Sequence, residues 1–177
     1  GKLRERAEKV KQGNPLDPAT TMGAMVDVNH AKKVEEFLNV GKAEATLITG
    51  GDRFSINDSD AFIQPTIFAD VPEDATIARD EIFGPVLAVQ TFDTENEAIK
   101  MANKSVYGLA ASVWTSDLAR AMDLSDKLHV GTVSVNTVDA LSAMTPFGGM
   151  KQSGFGRDLS IHSFDKYTAL KTIWVKY

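Results

Sequence analysis

The sequence predicts an α/β fold built on a parallel sheet, and three observations carry that expectation. In the second half, the apolar runs PVLAVQTF, LAASVW and GTVSVN are separated by two stretches of helical period. Strand, helix, strand, helix, strand is the signature of βαβ units. In the first half, a long helical pattern precedes the short strand patterns ATLITGG and QPTIFADV. The 177 residues are 43% hydrophobic and 24% charged, ordinary usage for a globular chain long enough to bury a real core.

Each element has a local reason. Leu3, Ala7 and Val10 share a helical face, and Gly13 is expected to stop that helix before the turn cluster GNPLDP. Ala31, Val34, Phe37, Leu38 and Gly41 recur at helical spacing, so residues 27–43 are expected to be helix. ATLITGG reads as a strand closed by Gly50 and Gly51. RFSINDSDAF reads as a surface loop or hairpin, and QPTIFADV as a strand ending in a turn at Pro72. PVLAVQTF is apolar enough for a buried strand. Thr94 and Glu97 suggest a capping box for a helix over 95–106, with Ala98, Ile99, Ala102 and Val106 facing inward. Ser116 can cap the next helix, whose inner face would be Leu118, Ala121, Met122, Ser125 and Leu128.

Composition excludes several classes of function. The net charge is −5, so no basic field invites nucleic acid or an anionic membrane. No apolar run reaches the ~20 residues of a membrane span. There is no cysteine, which removes disulfides, thiolate metal sites and any thiol nucleophile within these residues, and makes a cytoplasmic location the expectation. His30, His129 and His162 fall in different predicted elements without metal spacing, and Asp80 and Glu81 are merely adjacent. The chain begins without Met, inside a helix pattern that has no cap residue, so it reads as a piece of something longer.

The stretch TPFGGMKQSGFGRD combines four glycines with Lys151 and Arg157. It fails both phosphate-loop templates. Gly149 and Gly154 have P-loop spacing, but Phe155 and Gly156 follow instead of Lys and Ser/Thr. The dinucleotide template would need a third glycine at Leu159. Even so, the stretch sits beyond the carboxyl end of GTVSVN, where open parallel sheets place ligands. A connection as long as residues 136–157 is usually functional. On these grounds a structural loop and a site loop are equally supported. Upstream, Glu81 and Phe83 would point the same way if the backbone were extended. A carboxylate beside an aromatic face could hold ribose hydroxyls and cover a planar base. The competing reading is a solvated Glu and a core Phe.

EIFGPV, QPTIF, YGLAASVWTSD, PFGGMKQSGFGRD and GNPLDPATTMGAMV together resemble the NAD(P)-dependent aldehyde dehydrogenase superfamily, nearly end to end. KQSGFGRDLSIHSFDKYTALKTIW is most similar to its γ-glutamyl-γ-aminobutyraldehyde dehydrogenase branch. The resemblance implies a parallel-sheet, three-layer domain: residues 1–166 would be the C-terminal part of the catalytic domain, and 167–177 a terminal oligomerisation strand. It implies oxidation of an aldehyde to a carboxylic acid with NAD or NADP, through a cysteine thiolate and a general-base glutamate. Both would lie in segments outside this chain, as would the adenosine-binding domain. No catalytic residue is thus expected here, no cofactor is expected to bind the chain alone, and the isolated chain is expected to be inactive. Glu81 would bind the nicotinamide ribose and Phe83 would pack at the nicotinamide. Asn136, Asp139 and Leu141 would line the aldehyde pocket, where VDALSAM departs from longer or more aromatic versions. The glycine stretch would be a structural clasp. The expected partners are the rest of the dehydrogenase chain, further copies in a homo-oligomer and a small aldehyde. A non-catalytic assembly module retaining the fold is the alternative, and a stand-alone nucleotide-binding domain a third reading.

Overall fold

A computed structural model describes residues 1–138 and 141–177, which gather into two compact units, Gly1–Thr91 and Phe92–Tyr177. In the first, helix α1 (Lys2–Glu8) ends well before Gly13. Past it, Gln12 bridges to Met22 and its side-chain amide donates to the Ile63 carbonyl at 2.8 Å, which draws the chain out of helix. Helix α2 (Val28–Glu44) starts at Asp27, whose carboxylate accepts the His30 N–H at 2.7 Å. It buries Ala31, Val34, Leu38 and Gly41, while Phe37 is only half-buried.

Five short strands follow: β1 (Thr46–Thr49), β2 (Arg53–Ile56), β3 (Ser59–Ile63), β4 (Thr66–Ala69) and β5 (Val86–Ala88). β1 and β5 flank β4, antiparallel and parallel respectively. β2 and β3 form a hairpin whose tip residues, Asn57 and Asp58, both take left-handed φ, as the tightest hairpin turns require. The core joins the buried face of α2 to Ala61, Ile63, Phe68, Val71, Ala75 and Ile77. Between β4 and β5, the short helix α3 (Thr76–Arg79) was not foreseen. The Glu44 carboxylate, far away in sequence, accepts the Thr76 N–H at 2.8 Å and so caps it. β5 is not the buried strand expected: Leu87 is exposed, because β5 is a sheet edge whose partner among the described residues is β4 alone.

In the second unit, helix α4 (Glu95–Lys104) precedes β6 (Tyr107–Gly108) and β7 (Ala110–Val113). Helix α5 (Leu118–Lys127), β8 (Thr132–Val135), β9 (Met150–Lys151) and a 3-10 helix (Ile161–Lys166) follow. β7 and β8 pair in parallel and β6 and β9 antiparallel. Thr94 caps α4 by accepting the Glu97 N–H, but Glu97 reaches back to the Asp93 N–H instead of closing the box on Thr94. Asp117, not Ser116, caps α5, because a carboxylate one residue later accepts the Arg120 N–H at 3.1 Å. The expected inner faces are corrected too. Ala102 and Val106 are exposed, as are Leu118 and Met122, and of the predicted α5 face only Ala121 is fully buried. Residues 168–177 join no ladder with any described strand, and Leu170, Ile173, Trp174 and Tyr177 are exposed.

Candidate functional site

In the first unit, Gln12, Met22, Met25, Ile63, Phe83 and Pro85 help to line an apolar cleft of about 480 Å³. Phe83 is 74% exposed at its edge. The extended backbone assumed for residues 81–83 does not hold, because Phe83 has φ of 55°. The next residue, Gly84, lies so close on Val34 of α2 that an added Cβ would come within 2.9 Å of the valine methyls. Left-handed φ at a bulky residue is strained and marks a place to look for function. Glu81 is exposed two residues earlier. A planar ring would fit the apolar wall and the Phe83 face; the exposed Glu81 does not itself line this cleft.

In the second unit, β7 and β8 form the floor of a cleft of about 370 Å³ lined by Ser112, Thr132, Ser134, Val138, Leu141 and Phe147, among others. Leu141 is 54% exposed. Val138 and Phe147 were missed by sequence reasoning, although the aperiodic segment following β8 was the signal for them. The Thr132 hydroxyl is buried in this floor with no hydrogen-bond partner among the described residues. Asn136 closes the end of β8, but its side chain is occupied: Nδ2 donates to the Thr115 carbonyl at 2.8 Å, and Oδ1 accepts the Thr115 N–H at 2.9 Å. It does not line the cleft. Asp139 lies outside the described residues.

The glycine-rich stretch uses its cations inward. Arg157 donates to the carbonyls of Gly149 and Gly156 at 2.9 and 2.7 Å, and Lys151 to those of Asn103 and Ser105 at 3.0 and 2.9 Å. Phe147 and Asp158 exchange both backbone hydrogen bonds, and the Ser153 hydroxyl accepts the Gly108 N–H at 3.0 Å. Gly131 passes under the Gly148 carbonyl so closely that no Cβ fits. Lys166 donates to the Asp158 carboxylate, and that hydrogen bond raises the lysine above its ordinary value. These contacts engage donors of each cation with the chain's own carbonyls and a carboxylate and tie the stretch to residues 103–108, which is the arrangement of a clasp. Among the described residues, no cluster of His, Asp or Glu could hold a metal ion. No described helix is long and apolar enough to cross a membrane.

The sequence pattern of the aldehyde dehydrogenase family matches residues 1–173. The chain is 47% identical over 173 residues to the NADP/NAD-dependent aldehyde dehydrogenase PuuC of Escherichia coli, covering 98% of this chain and 34% of that protein. It is 47% identical over 176 residues to a betaine aldehyde dehydrogenase of Sinorhizobium fredii, covering 98% and 36%. Among solved structures, it superposes with a TM-score of 0.95 at 46% identity on the P. syringae indole-3-acetaldehyde dehydrogenase AldA in complex with NAD+ and IAA, covering 99% of this chain and 36% of that one. The aldehyde dehydrogenase KauB of Pseudomonas aeruginosa gives 0.95 at 45% identity, with the same coverage. The chain thus spans about a third of the length of these relatives.

Proposed function

The chain belongs to the aldehyde dehydrogenase family, and from that premise we propose that it forms the C-terminal part of the catalytic domain of an NAD(P)-dependent enzyme that oxidises a small aldehyde to a carboxylic acid. In the balanced reaction, aldehyde, water and NAD(P)+ give the acid, NAD(P)H and a proton. NAD(P)+ supplies the hydride acceptor when bound. The nucleophilic thiol and the general base come from segments outside these 177 residues. Within them, Glu81 accepts hydrogen bonds from the nicotinamide ribose and Phe83 packs on the nicotinamide. Leu141 and Asp139, joined by Val138 and Phe147, shape the aldehyde pocket, and Asn136 fixes the strand end from which that pocket wall departs. The same reading places the enzyme in the cytoplasm.

The observation that carries this reading is Phe83, a phenyl ring held in strained backbone at the mouth of an apolar cleft and left 74% exposed. Exposure alone is shared with other rings of this chain; what sets Phe83 apart is that exposure together with left-handed backbone in the lining of an apolar cleft. The test is Glu81→Gln in the full-length enzyme. Losing the carboxylate misplaces the reacting ring, and hydride transfer is expected to slow by about 10-fold or more. Unchanged single-turnover kinetics would mean that Glu81 is a solvated surface residue.

Residues 167–177 act in this reading as an oligomerisation strand. They carry exposed Ile173, Trp174 and Val175 with no ladder partner among the described residues, and open edges pair with other edges. A two-fold assembly is the default symmetry. Light scattering should report an oligomer that dissociates when residues 167–177 are deleted. An unchanged mass and solubility after deletion would remove the strand from the interface.

A further inference from the structure

We propose that His30 is a positioning residue for the cofactor, its imidazole holding the Phe83 ring where the nicotinamide packs. The inference rests on the assignment of Phe83 to the nicotinamide made above. The two ring centroids lie 5.9 Å apart with the planes tilted by 30°, within the range of a favourable aromatic pair.

The backbones on both sides are fixed. His30 sits in the first turn of α2, and its N–H is held by the Asp27 carboxylate at 2.7 Å. Val34 is one turn further along the same helix, and Gly84 packs directly on it. Residues four apart are neighbours on one helix face. Phe83 and Gly84 therefore follow His30 and Val34 along α2, one pair per turn. The left-handed φ of Phe83 allows both contacts at once. Because the phenyl ring is 74% exposed, burial does not restrict its rotamers. The imidazole does, and it leaves the other face of the ring to a ligand. A flat, half-buried side chain at position 30 thus sets the angle at which the cofactor ring is met.

The experiment compares His30→Ala, His30→Phe and Phe83→Ala in the full-length dehydrogenase, with thermal unfolding confirming that each variant is folded. His30→Ala is expected to raise KM for NAD by about 3- to 10-fold, the equivalent of one lost aromatic pair, and to leave KM for the aldehyde unchanged. His30→Phe keeps a ring at the site and restores KM for NAD. Adding His30→Ala to Phe83→Ala has no further effect. If His30→Ala leaves KM for NAD unchanged while Phe83→Ala raises it, or if the folded His30→Phe fails to restore it, the role of His30 is overturned and Phe83 keeps its assignment. If Phe83→Ala itself changes nothing, both are overturned.

Discussion

Offered NAD and a panel of aldehydes, the purified 177-residue chain is expected to produce no NADH above buffer background. Acid formation on this chemistry begins with a thiolate adding to the carbonyl, and the chain has no cysteine. A hydroxyl could replace the thiol only with an adjacent base to take its proton. Among the described residues no histidine imidazole is hydrogen-bonded to a side-chain hydroxyl; that of His162 faces the Asp165 carboxylate and that of His30 the Phe83 ring. NADH fluorescence during aldehyde titration is the measurement. Turnover that copurifies with the chain and survives a thiol-blocking reagent would show that these residues carry a nucleophile of their own. Loss on blocking would identify a contaminating enzyme.

Phe68→Ala is expected to cost the first unit about 3–5 kcal/mol, the usual toll for truncating a buried phenylalanine. Phe68 has no exposed surface and rests against α2 at Gly41, which has no side chain to fill the space left behind. Against a typical domain stability of about 5–15 kcal/mol, such a loss brings the unit close to unfolding. Phe155→Ala removes an equal ring from a fully exposed position and should shift stability by no more than about 0.5 kcal/mol. Urea unfolding followed by circular dichroism compares the two. Equal midpoints for both variants would mean that Phe68 is not the centre of the core.

Much of this architecture was legible because its causes are local. The 3.6-residue spacing of Ala31, Val34, Leu38 and Gly41 marks the buried face of α2 directly. Alternative positive-φ residues at a hairpin tip are also few, and Asn57–Asp58 is such a pair. Readings failed where a distant group decides. Glu44 caps α3 across 32 residues, and nothing near Thr76 announces it. Period alone gave α4 and α5 inner faces, yet Ala102, Leu118 and Met122 are exposed, since a periodic stripe does not say whether anything covers it. At the candidate site, EIFGP drew attention to Glu81 and Phe83. The bend at Phe83 was hidden because left-handed φ is rare at a bulky residue and nothing local in EIFGP announces it. The amide of Asn136 was likewise beyond reach, being set by the backbone of Thr115.

The clasp also has a consequence for the order in which the molecule assembles. Lys151 finds its acceptors 48 and 46 residues back, at Asn103 and Ser105, and Ser153 receives the Gly108 amide across 45. Asn103 is itself tied to Lys127 and His129 at the end of α5. Closing loops of such length is entropically opposed until both ends are already held near one another. The segment is therefore expected to lock late, after α4, α5 and the β7–β8 pair have come together. Phe147 would then reach its place in the wall of the second cleft last, and pulse-labelled hydrogen exchange should show the Phe147 and Asp158 amides protected after those of α4 and α5.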